Sequence, residues 1–177
     1  MITVVDHDPA WAERFVALAA RLRPALDGIA CTVEHVGSTS VPGLAAKPVI
    51  DVNILLADPA DLRAAIEALQ GLGYSHLGDL GIPDRHAFRH PHTTFAHNLY
   101  CTPASALAAR NHLAFRDALR ADPALCAEYG ALKKRLATST DDIDVYVERK
   151  TALIVRVLRD AGLGADALAD ITDVNRA

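Results

Sequence analysis

The chain has 177 residues, 51% of them hydrophobic, a net charge of −4 and a pI near 6.0. That length fits one domain, residues 1–177, around one packed core, and the acidic balance argues against general nucleic-acid binding, which needs a basic surface. No run of about 18 apolar residues suits a membrane-spanning helix, and the N-terminus lacks the basic-then-apolar order of a signal peptide, so a cytoplasmic protein is expected. Cys31, Cys101 and Cys126 have no paired spacing and read as small buried hydrophobes, not as a zinc site or disulfide framework.

Asp8-Pro9 opens a helix, with Trp11, Phe15, Leu18, Ala19 and Leu22 at helical spacing. Residues 30–36 suit a strand, followed by a Gly37-Ser38 turn and a short helix. The β-branched run 48–56 predicts a buried central strand. Asp58-Pro59 starts a helix to about Leu69, closed by Gly71 and Gly73. Residues 78–84 read as a loop, and 86–90 with 94–101 as a hairpin around Pro91-His92-Thr93. Helices follow over about 104–121, 123–137 and 141–161, punctuated by Asp122-Pro123 and by residues 139–142. The tail after Gly162-Leu163-Gly164 is expected to be loosely attached. The pattern is α+β: a small mixed β-sheet flanked by helices, then a helical C-terminal half.

The chemistry concentrates around Gly37 and Asp51. A Gly-Ser at a helix start lets backbone N–H groups approach a phosphate; its plain alternative is an N-cap by Ser38 or Ser40. Asp51 lies in the apolar strand Val49-Ile50-Asp51-Val52-Asn53-Ile54 and shares a face with Asn53. A carboxylate there must face solvent, a cation or a positive side chain such as Lys47. Lys47 itself suits either phosphate neutralisation or a solvated surface. Glu34 and His35 point to opposite strand faces, so only one lines the pocket of this turn; His35 is preferred. Arg85, His86 and Arg89, with His97 on the next strand, could build an anion-binding wall opposite Asp51. His90-x-His92 alone is too few ligands for a metal. His112 and Arg116 share a helix face, and Lys133 and Lys150 lie on later helices, where salt-bridged surface is the plain alternative. GxxxxGK[ST], a GxGxxG after a strand, and GxSxG are all absent.

The stretch HVGSTSVPGLAAKPVIDV (residues 35–52) resembles the signature of the GrpB family, a branch of the polymerase-β-like nucleotidyltransferase superfamily. The likeness continues in residues 81–89, 97–100 and 111–117, in Glu128-Tyr129 with Leu132-Lys133, and in Tyr146 and Lys150, so it spans roughly residues 1 to 155. It implies a nucleotidyltransferase-like sheet. It also implies Asp51 as a catalytic Mg²⁺ ligand with Asn53 as auxiliary, and Gly37 and Ser38 as a triphosphate cradle. Lys47, Arg85, His86, Arg89 and His97 are then the phosphate-binding candidates, and the likeness adds weight to Arg116 and Lys150. Active superfamily members place a second acid two residues after the first and a third on a neighbouring strand. Here the second position is Asn53, and the strand at 94–101 supplies no acid.

Two functions therefore stand open. One is Mg²⁺-dependent nucleotidyl transfer to a small-molecule or protein acceptor. The other is a catalytically degenerate module binding a nucleotide or a coenzyme A-like ligand, motivated by family members fused to dephospho-CoA kinases. A protein-interaction role for the C-terminal helices is a third, weaker reading. The partner in either of the first two is a phosphate-bearing small molecule; oligomeric state and pathway are not encoded legibly.

Overall fold

The computed structural model describes residues 2–91 and 94–174. Helix α1 (Ala10–Leu22) starts where Asp8 Oδ1 accepts the N–H of Ala10 at 2.9 Å. It is followed by strand β1 (Cys31–Val36), a 3₁₀ turn over Ser38–Ser40, and strand β2 (Ile50–Leu56). Helix α2 (Leu62–Gly71) leads to β3 (Ser75–His76), β4 (His86–Arg89) and β5 (His97–Pro103). The remainder is helical: α3 (Leu107–Ala121), α4 (Pro123–Ser139), α5 (Ile143–Asp160) and α6 (Ala165–Val174). The architecture is α+β, and the described residues form a sheet of five strands in the order β1-β2-β5-β4-β3. Only β2 and β5 are parallel; the other neighbours are antiparallel.

Strand alternation separates two faces. Ile50, Val52, Ile54 and Leu56 of β2 join Leu99, Cys101 and Phe88 in a core closed by Trp11, Leu18 and Leu22 of α1 and Ala65 and Leu69 of α2. Asp51 and Asn53 point the other way, in register with Asn98 and Tyr100 of β5. Helix α3 packs on β1 and β5. Behind it Val41, Leu44, Leu119, Cys126 and Tyr129 form a second apolar cluster. Helices therefore lie on both sides of the central sheet, and the polar face of β2 is buried at Asn53 but reaches a cavity at Asp51.

Several element boundaries differ from the sequence reading. The segment after Gly37-Ser38 is a single 3₁₀ turn, too short to carry a useful helix dipole. Strand β5 runs on to Pro103 and α3 starts three residues later than expected, because Ala104 N–H donates to Leu56 O and extends the parallel pairing. The two-residue β3 left no periodic signal. The tail read as loosely attached contains α6, whose Leu168 and Ile171 pack with Leu158 of α5. Antiparallel pairing of β4 with β5 forms the expected hairpin, while His92 and Thr93 of its connection lie outside the described residues. No helix among the described residues is long and apolar enough to cross a membrane.

The Asp-Pro starts act as read. Asp122 Oδ1 accepts from the N–H groups of Ala124 and Leu125 at 2.9 and 3.0 Å, satisfying two orphan donors of α4. Asp122→Ala should lower stability by about 1 kcal/mol, read as a lower urea midpoint at unchanged slope.

Candidate functional site

Gly37 sits at φ 69°, ψ −174°, a region open essentially to glycine alone. The turn packs against β2 so closely that a Cβ on Gly37 would collide with the Asp51 carboxylate. Ser40 Oγ locks the turn by donating to Gly37 O at 2.6 Å. Gly37→Ala should therefore cost about 2–3 kcal/mol and displace Asp51 from its partner. A lower thermal midpoint checks the first effect and loss of ligand affinity the second.

Asp51 lies on the floor of a cavity of about 440 Å³ between the sheet and helices α3, α4 and α5. Asn98 Nδ2 donates to its Oδ1 at 2.7 Å. The carboxylate keeps some solvent contact because it opens onto the cavity, yet protein surrounds it on every other side. Desolvation therefore dominates and raises its pKa above the ordinary carboxylate value; the Asn98 hydrogen bond, Lys47, Lys150 and Lys133 pull it back down.

The cavity wall carries the main positive charge. Lys133 of α4 is only 2% exposed and its Nζ has no hydrogen-bond partner among the described residues. It lies 4.7 Å from the centre of the Tyr129 ring. Burial, then repulsion from Lys150, depresses it to about 7. Lys150 of α5 sits 4.2 Å over Tyr146 and is depressed to about 8 by burial and by Lys47. Lys47 lies 5.8 Å from the same ring. Each aromatic precedes its lysine by one helical turn, so ring and amine share a face. Ser38, Asn111 and Arg116 complete the polar lining. Arg116 is already committed: it donates to Glu34 Oε2 at 2.8 Å and to His35 O at 3.1 Å, tying α3 to β1.

The donor set does not suit a two-ion metal site. Among the described residues Asp51 is the single carboxylate lining the cavity, and one of its oxygens is taken by Asn98. Among the described residues no group of three His, Cys, Asp or Glu side chains converges. Asn53 is wholly buried, and its Oδ1 accepts from Thr102 Oγ1 at 2.9 Å. The cationic neighbours of Asp51 supply charge of the sign a metal would supply.

Of the residues expected to bind phosphate, Gly37, Ser38 and Lys47 meet Asp51 in this cavity. Arg85 stands beside it, stacked 4.7 Å over Tyr100, and the Asp51 charge acts on its guanidinium. His86 and His97 lie on the opposite sheet face. His86 Nδ1 meets His76 Nε2 at 3.0 Å, and His97 Nε2 meets the Tyr74 hydroxyl at 2.9 Å. Arg89 is exposed at the end of β4, paired with Ser75. Of the two residues before the turn, Glu34 faces the α3 side through Arg116. His35 stacks on Phe15 of α1 at 4.7 Å, and neither of the two lines the cavity. Tyr129, Tyr146 and Asn111 line the cavity without having been assigned chemistry. The repeated Tyr-x-x-x-Lys spacing, at 129–133 and 146–150, was the available signal.

The GrpB protein family profile matches residues 1–160. A UPF0157 protein of Streptomyces coelicolor is 35% identical over 164 residues, covering 91% of this chain and 84% of that one. A dephospho-CoA kinase of Mycolicibacterium paratuberculosis is 31% identical, the match spanning 84% of this chain and 43% of the kinase. The crystal structure of conserved protein GrpB from Enterococcus faecalis superposes with a TM-score of 0.78 at 35% identity, covering 90% of this chain and 96% of that one. A mixed sheet beneath helices, with a lysine-lined cavity at the Gly-Ser turn, defines an α+β protein. The chain belongs to the GrpB family.

Proposed function

We propose that the cavity binds a phosphate-bearing small molecule, a nucleotide or a coenzyme A-like compound, and that lysine side chains supply the neutralising charge. The observation that carries this reading is Lys133, a cavity-lining residue whose amine is buried with no hydrogen-bond partner among the described residues. Burying such a group is costly unless an anion compensates it. A phosphate between Lys133, Lys150 and Lys47 provides that compensation, and Asn98, Asn111 and Ser38 supply polar groups around it. The nucleotide class is supported by the family signature around Gly37 and Asp51, and the coenzyme A class by the likeness to part of a dephospho-CoA kinase.

A second reading, Mg²⁺-dependent nucleotidyl transfer in the same cavity, rests on Asp51. Its Oδ2 makes no hydrogen bond among the described residues and lies against Gly37. A thermal-shift panel of nucleotides and coenzyme A derivatives, with and without Mg²⁺, separates the two readings. A midpoint rise that persists in chelator favours binding through the lysines. A rise that needs Mg²⁺ and disappears in Asp51→Ala favours transfer, and no rise with any compound sinks both.

A further inference from the structure

A second cavity, of about 520 Å³, lies behind the first, within the range of about 300–1,000 Å³ typical of ligand pockets. It is bounded by the 81–85 loop, the start of α3 and the end of α6. The two cavities share a wall: Asn111 and His112 of α3 line both. The second differs in character. Its floor is apolar, built from Ile82, Leu107, Ala108 and Ile171, and its charged lining is net acidic: Asp84, Asp170 and Asp173 against Arg85. None of these three carboxylates has an ion-pair partner among the described residues.

The shared wall also holds polar atoms with nothing to bond. His112 Nδ1 is buried without a partner, and so is Nε of Arg85 on the loop side. Burial, then the neighbouring Arg85, pushes the His112 imidazole down to about 4, so it is neutral near pH 7. A neutral imidazole at the junction can bond a neutral ligand group without adding charge to the lysine side.

We infer that the two cavities hold one bipartite ligand, its phosphate end in the lysine cavity and a mainly apolar, non-anionic group in the second chamber. The inference rests on the phosphate reading of the first cavity and deepens it. The net acidic lining repels a second anionic group, the apolar floor rewards burial of hydrocarbon, and the orphaned atoms at the junction meet the polar link between the two halves. Compounds anionic at both ends are thereby disfavoured against those with a single phosphate-bearing head.

Calorimetric titration with two probes tests this: inorganic pyrophosphate, which can fill only the first cavity, and geranyl diphosphate, which adds an apolar chain. The wild-type protein should bind geranyl diphosphate about tenfold tighter or more. Ala108→Trp, which fills the second chamber, should abolish that advantage while pyrophosphate affinity stays within about twofold. Ile82→Trp, on the loop side, gives the same test should the first variant fail to fold. Equal affinity of the two probes in the wild type, or an advantage that survives both substitutions, overturns the inference and leaves the phosphate reading standing. Failure of pyrophosphate itself to bind removes both.

Discussion

Lys133→Met should make the protein more stable and, at the same time, unable to hold its ligand. The side chain is buried, its amine lacks a hydrogen-bond partner, and a methionine of similar length would pack against Tyr129 with no charge to desolvate. The expected gain is about 1–2 kcal/mol at pH 7, a rise of several degrees in midpoint. Affinity for a phosphate-bearing compound should fall about a hundredfold, since a charge-assisted contact inside the cavity is lost. Loss of both stability and binding would instead mark Lys133 as a structural residue. The pH dependence has a definite sign. Lys133 sits at about 7 in the folded protein and near its ordinary value, about 10.4, when unfolded. Between those values the unfolded chain binds more protons, so stability rises with pH by up to about 1.4 kcal/mol per unit. Lys150 adds a similar slope above about 8. Denaturation between pH 7 and 9 should show this rise in the wild type and a shallower one in Lys133→Met. Phosphate affinity should run the other way, weakening as the lysines lose their protons.

Asn53→Asp places a second acid two residues after Asp51, and it should damage the protein. Asn53 is wholly buried in β2, hydrogen-bonded through Oδ1 to Thr102, with its Nδ2 unpartnered. A carboxylate there gains no cation and lies beside other buried groups, so it should cost about 3–5 kcal/mol at pH 7. Because the folded-state pKa of this new acid would be raised, the penalty should shrink as pH falls through that raised value and vanish only below about 3.9, where the acid is protonated in both states. Urea titrations of both proteins at pH 7.5 and 5 check this. A variant as stable as the wild type, or one that binds Mg²⁺ tightly, would show that the position faces the cavity and can serve a metal.

The alternating strand at 50–56 and the Asp-Pro helix starts were legible because each rests on local chemistry: side-chain period, or a carboxylate reaching N–H groups two or three residues on. Gly37 and Asp51 were legible as a pair for a related reason, since a glycine in a tight turn beside an acid on an apolar strand fits few plain explanations. Their contact supplies the physical cause, for the glycine makes room for the carboxylate. The basic side of the cavity was not legible in the same way. Lys133 and Lys150 come from different helices, and on one helix a lysine reads as solvated surface. Only the packing of α4 and α5 across the sheet turns both amines inward. The strand-alternation argument placed Asn53 beside Asp51 correctly, but it could not show that α3 covers the end of the face where Asn53 lies. His86 and His97 were grouped with Arg85 by nearness in sequence; the pleat sends the histidines to the opposite side, where they bond His76 and Tyr74.

The central claim is that lysines rather than a metal pair hold the ligand's phosphate. The most direct test is calorimetric titration of ATP into the wild type and Lys133→Met, each in chelator and then in Mg²⁺. Binding by the wild type in chelator, lost in the variant, is the result predicted here. Binding that appears only with Mg²⁺ and is unaffected by Lys133→Met would contradict it and return Asp51 to the centre of the site.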